Sequence, residues 1–88
     1  MKTKYIKIDK YGHTYYFVNK KMKVLHNEDG PAVILKAGHK YWYKFGRLHR
    51  EDGPAVMSTA GVNQWFLNGL FVTEVEHAAL LNSIAIIV

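Results

Sequence analysis

The chain reads as short apolar runs cut by glycine. In "HTYYFV", "HKYWYKF" and "NQWFL" aromatic and β-branched residues crowd together, as a pleated, half-buried surface selects. Tight-turn signals stand between the runs. Ala37-Gly38 and Ala60-Gly61 each separate two strand-like stretches. Phe45-Gly46-Arg47 and Asn68-Gly69 mark further turns, the second with the dipeptide that most favours a two-residue hairpin. The pattern predicts strands near residues 3–9, 13–18, 22–26, 32–36, 39–45, 47–49, 54–59, 62–67 and 70–72. It changes after Val72. Thr73 and Glu76 have the spacing of a capping box, and Val75, Ala78, Ala79 and Leu81 suggest a short helix over about 74–82. Residues 84–88 form an uncharged apolar tail. Left exposed, such a run aggregates. The expectation is that it packs on the sheet, adds a strand, or is covered by a partner.

The runs also repeat. "LHNEDGPAV" spans residues 25–33 and "LHREDGPAV" spans 48–56, differing only at Asn27 and Arg50. Gly30 and Gly53, Gly38 and Gly61, and Trp42 and Trp65 all share one 23-residue period, the signature of stacked supersecondary units. A degenerate copy lies upstream, with Gly12 and Tyr16 spaced as Gly38 and Trp42 are, and three extra residues fall near Asn19-Lys20-Lys21. This gives one domain with units at about 12–37, 38–60 and 61–72. The phrase never returns after Asn68-Gly69, as a terminal, capping repeat requires.

Glu-Asp-Gly-Pro reads as a corner. Asp tolerates the bend, Gly is expected to take an unusual dihedral, and Pro opens the next strand, where no mid-sheet donor is needed. A neutral imidazole at His26 or His49 can bond a carboxylate or a turn amide and pin that corner. His26, Asp29, Gly30, Pro31, His49, Asp52, Gly53 and Pro54 are therefore assigned to scaffold.

Alternation along a strand puts Tyr16, Trp42 and Trp65 on one face, and Tyr15, Phe17, Tyr41, Tyr43 and Phe66 on the other. Both faces are thus aromatic, more than one short helix and a tail can cover. Lys40 and Lys44 flank Trp42. Residues that the copies share are what each needs to fold, so binding is expected where they differ. The candidate binding residues are Lys40, Tyr41, Trp42, Lys44, Arg47 and Arg50, with Lys20, Lys21 and Lys23 of the insertion.

Charge sharpens this. All twelve Lys and Arg lie in residues 1–50 against three acids, giving +9, while residues 51–88 carry four acids and neither base, giving −4. A basic half attracts anionic partners, though dispersed strand lysines also serve solubility alone. The chain of 88 residues has no cysteine, so disulfides and thiolate metal sites are excluded. Its basic N-terminus lacks the apolar run of a signal peptide, and no stretch matches a membrane span, so a cytoplasmic protein is expected. His26, His49, Asp29 and Asp52 form the nearest approach to a metal set, but recurrence of the units alone accounts for their alignment. No Ser-His-Asp order, nucleophile elbow or P-loop occurs. Neither enzyme activity nor a cofactor is expected.

The phrase resembles a variant of the MORN (membrane occupation and recognition nexus) repeat, found in small proteins of bacteriophages and large viruses. "WYKFGRLHREDGPA", Trp42 to Ala55, matches that variant throughout, and "WFLNG", Trp65 to Gly69, matches its start. Standard units carry Gly after the central His, where this chain has Asn27 and Arg50. The resemblance covers residues 12–72. It implies a mainly β fold, an antiparallel meander of MORN-like hairpins closed by the C-terminal helix and tail. It also implies a non-catalytic phage accessory protein that binds and inhibits or modulates a host protein in the host cytoplasm. The rival class is binding of nucleic acid or a nucleotide by the basic aromatic face, and a third is a structural subunit. The apolar tail favours a homodimer over a monomer.

Overall fold

The computed structural model describes residues 4–87, with side chains described as far as Asn82. Nine short strands precede one helix: β1 (Tyr5–Ile8), β2 (Thr14–Phe17), β3 (Val33–Ile34), β4 (Lys40–Tyr41), β5 (Tyr43–Lys44), β6 (Arg47–Leu48), β7 (Val56–Met57), β8 (Asn63–Leu67), β9 (Leu70–Val72) and α1 (Glu74–Ile87). Seven strands form an antiparallel sheet in the order β1-β2-β3-β4-β7-β8-β9, and β5 and β6 pair as a separate hairpin. The fold is mainly β, as expected. None of the described helices is long and apolar enough to cross a membrane.

Hairpin turns gather at two ends. At the first, β1–β2, β3–β4 and β7–β8 are joined by the same turn. Its N–H donors at Gly12, Gly38 and Gly61 reach the carbonyls of Asp9, Leu35 and Ser58. All three glycines have positive φ, from 84° to 103°, a region that only glycine enters without strain. At the second end, Phe45-Gly46 and Asn68-Gly69 have positive φ at both positions, the backbone of a two-residue hairpin turn. The insertion closes the corresponding turn of the first unit, where Met22 also has positive φ.

Register fixes the faces. Tyr15, Val33, Tyr41, Val56 and Gln64 stand opposite one another across five strands. Thr14, Ile34, Lys40, Met57 and Asn63 form the adjacent row, on the other face. Little is buried by this arrangement. Among the described residues the buried apolar side chains are Ala32, Val33, Ala55 and Val72, and no large side chain is fully enclosed.

Cohesion comes instead from histidine. The Nδ1 atoms of His13 and His39 accept the N–H groups of Lys36 (3.0 Å) and Thr59 (3.1 Å) at the first end. Those of His26 and His49 accept the N–H groups of Phe45 (3.0 Å) and Asn68 (2.9 Å) at the second. In each case the imidazole that follows one turn receives an amide from the next turn at the same end of the sheet. The imidazole must then be neutral, with its proton on Nε2. In His49 that Nε2–H points to Glu51, 3.1 Å away, and in His26 Glu28 lies 3.7 Å from it. His77 completes the series from the helix. Buried, it meets the Arg50 carbonyl through Nε2 at 2.6 Å, which ties α1 to the second corner. The capping box is present and reciprocal: Thr73 N–H donates to Glu76 Oε1, and Glu76 N–H donates to Thr73 Oγ1.

Four expectations are corrected. Residues 22–26 are not a strand, because the insertion lengthens the turn and leaves only the Phe17–Leu25 bridge. The run 39–45 breaks at Trp42, where the chain leaves the main sheet for the β5–β6 hairpin. The helix does not stop at 82. No Gly or Pro follows to break it, so residues 84–87 continue α1 rather than forming a separate tail or an added strand. Val88 lies outside the described residues. Finally, Gly30 and Gly53 are absent from the positive-φ positions. Glycine at the corner does not serve a dihedral.

Replacing His49 by Ala removes one inter-unit bond. The variant is expected to lose about 1 kcal/mol in urea denaturation, and the Asn68 amide should lose hydrogen-exchange protection while the Thr59 amide keeps it.

Candidate functional site

The two corners face each other across an open groove of about 480 Å³. Asn27, Glu28, Asp29, Gly30 and Pro31 form one wall, and His49, Arg50, Glu51 and Asp52 form the other, with Trp42 and Lys44 between. Each corner leaves its two carboxylates on the rim, and the side chains of Glu51 and Asp52 are largely exposed. The groove thus presents four acids against Lys44 and Arg50, two from the basic half of the chain and two from the acidic half.

Arg50 is held from several sides. Its guanidinium lies 3.9 Å over the Trp42 ring. Nε donates to Asp52 Oδ1 at 2.9 Å, and Nη1 donates to the Pro54 carbonyl at 3.1 Å. A Cβ built at Gly53 would stand 2.8 Å from Arg50 Cζ. Glycine leaves room there for the guanidinium to fold back against the corner's backbone, and a Cβ would displace it. In the first unit Asn27 replaces Arg50. Asn27 Nδ2 donates to the equivalent Pro31 carbonyl at 3.0 Å, but an amide carries no charge. The cation comes from elsewhere. Lys4 Nζ reaches Asn27 Oδ1 at 2.9 Å and Asp29 Oδ2 at 3.0 Å, and sits 5.5 Å from the centre of the Tyr16 ring. Both units therefore place a cation between the strand aromatic and the corner aspartate, once from Arg50 within the phrase and once from Lys4 before β1. Gly30 confirms the division of labour: its nearest neighbour would be Asn27 Nδ2, at an ordinary 3.9 Å.

The Arg50 hydrogen bond holds Asp52 below its usual carboxylate range, against a smaller opposing effect of desolvation. Asp52 is exposed, so the effect on stability is small and screened by solvent.

The structure distributes the nine predicted binding residues over four places. Trp42, Lys44 and Arg50 line the groove. Tyr41 lies between Val33 and Val56, half-buried in the central row, where it serves packing. Lys40 stands exposed on the opposite face, opposite Ile34 and Met57. Arg47, Lys20, Lys21 and Lys23 are exposed at the second end. The scaffold residues His26, Asp29, Gly30, Pro31, His49, Asp52, Gly53 and Pro54 all fall at the corners, and several of them double as groove wall. Sequence reasoning missed Lys4. The signal for it was the single difference within the nine-residue phrase, since a neutral Asn27 in place of Arg50 calls for a cation from another strand. Among the described residues, no three of His, Asp and Glu come together as metal ligands. No protein-family model, characterised protein or solved structure matches this chain.

Two outcomes follow. Gly53→Ala is expected to push the guanidinium off Trp42, returning the ring-shifted NMR resonances of Arg50 to ordinary values at a stability cost of about 1 kcal/mol; Gly30→Ala leaves both unchanged. Asp52 has a lowered folded pKa, so its contribution is present above the ordinary carboxylate range and fades as pH falls through the folded value. Asp52→Asn should flatten the pH dependence of the melting temperature below about pH 4.

Proposed function

We propose that this chain is a non-catalytic binding protein whose partner is another protein. The observation that carries this reading is the groove between the corners. There the residues that differ between units meet: Arg50 against Asn27, and Lys44, whose counterparts are Val18 and Leu67. Lys44 in particular stands where the other units carry Val and Leu, so the fold of a unit does not require its charge. Four rim carboxylates with two cations and one indole make a mixed surface, complementary to a protein segment carrying both signs. They disfavour a phosphate-bearing ligand in the groove, since carboxylates repel it. Arg50 also covers one face of Trp42, leaving less of that ring for stacking a base.

The resemblance adds the setting: a small bacteriophage protein acting in the host cytoplasm, where it inhibits or modulates a host protein. The apolar sequence at the end of α1, Ile84-Ala85-Ile86-Ile87, supports pairing of two copies through the helix as part of the same reading.

Affinity capture from a bacterial lysate, with and without nuclease, tests the proposal. The expected result is a stoichiometric protein partner that resists nuclease and is lost when Lys44 and Arg50 are both replaced by Glu. Recovery that vanishes on nuclease treatment, with a steep log–log salt slope of counterion release, would establish the nucleic-acid reading instead.

A further inference from the structure

We propose that the second turn end of the sheet is a docking surface for an acidic protein, with Phe45 and Met22 as its apolar anchors. This rests on the protein-binding reading above and names the surface and the partner's chemistry.

Three turns meet at this end, and each holds one non-glycine residue at positive φ: Met22 (52°), Phe45 (48°) and Asn68 (51°). That conformation suits Asn, which occupies it in the last unit. For a bulky residue it is strained. Phe45 is nonetheless 66 % exposed and Met22 38 %. Strain is accepted there for side chains that contribute little to the fold. The Phe45 ring touches the His26 ring at 4.2 Å and otherwise faces outward. The insertion that carries Met22 packs beside the Phe45 turn: Gly46 N–H donates to the Leu25 carbonyl, and Val24 Cγ1 lies 3.4 Å from where a Gly46 Cβ would stand.

The surround is basic. Lys20, Lys21, Lys23 and Arg47 are exposed, and none has an ion pair among the described residues. Exposed apolar anchors ringed by unpaired cations are complementary to an apolar pocket rimmed by carboxylates. One observation favours a protein over a nucleic acid: Phe45 is the sole aromatic residue at these three tips, whereas strands of bases are held by successive rings.

The test uses the full chain and a displayed library of random twelve-residue peptides. Selected peptides are synthesised and titrated against the wild type, Phe45→Asn, Met22→Asn and the double variant Lys21→Glu/Lys23→Glu. Asn suits the tip dihedral, so Phe45→Asn is expected to keep or raise the melting temperature. The surface is supported if enriched peptides place Asp or Glu around an aromatic or aliphatic residue, and if Phe45→Asn and the charge reversal each weaken them about tenfold or more. Acidic binders held equally well by Phe45→Asn, but lost on Trp42→Ala, overturn this surface and leave the protein-binding reading standing. No enriched peptide at all overturns both. So does capture, through Phe45 and the lysines, of phosphatidylcholine–phosphatidylserine vesicles or of thirty-residue oligodeoxythymidine in place of peptides.

Discussion

The bond from a turn amide to a neutral imidazole in the preceding hairpin is what the sheet depends on. Strands of two to five residues make few ladder bonds, and four small buried side chains cannot supply a hydrophobic core. Each unit would be marginal alone. The histidines at 13, 26, 39 and 49 convert a string of hairpins into a continuous body by bonding each to the turn that follows. His77 does the same for the helix through a carbonyl. Imidazole suits the task because one ring nitrogen accepts while the other remains a donor for the corner's glutamate.

The shared phrase then gains a reason for each of its conserved-in-copy residues. Leu25 and Leu48 receive the N–H of Gly46 and Gly69 at their carbonyls, closing the next unit's turn. Ala32 and Ala55 are fully buried, and their carbonyls accept Tyr16 and Trp42 at 2.7 Å, a close approach that a larger residue would crowd. Residue 27 or 50 bonds the proline carbonyl of its own corner. The position that varies is thus structurally active in both units. Its variation changes only the source of the cation that sits by the aromatic ring.

This has a consequence for charge. The formal +9 of residues 1–50 does not make a uniform basic face, because Glu28 and Asp29 stand on the groove rim together with Glu51 and Asp52 of the acidic half. Basic character survives at the turn ends, where the insertion and Arg47 project. A net charge read along the chain is an average over surfaces that tertiary structure separates.

Much of the fold was legible because its signals are local. Period, turn dipeptides, alternation and the capping box act over a few residues, and they located the hairpins, the insertion and the start of α1. The run 22–26 and the 39–45 strand were misjudged because strand pairing depends on the partner's register, which no window of sequence contains. The role of Gly53 was hidden for a similar reason: glycine at a turn suggests a dihedral, while close approach of Arg50 is visible only in three dimensions. The candidate site was half legible. Lys44 and Arg50 stood out as differences between copies and Trp42 by its flanking lysines, but Lys4 reaches the first corner from before β1, 23 residues from Asn27. The sequence by itself determined a repeating mainly β chain and the residues each unit must keep, since those requirements recur within one period. Only the tertiary structure decided which charges meet in the groove and which apolar residues stand at strained tips, since both depend on how neighbouring units pack.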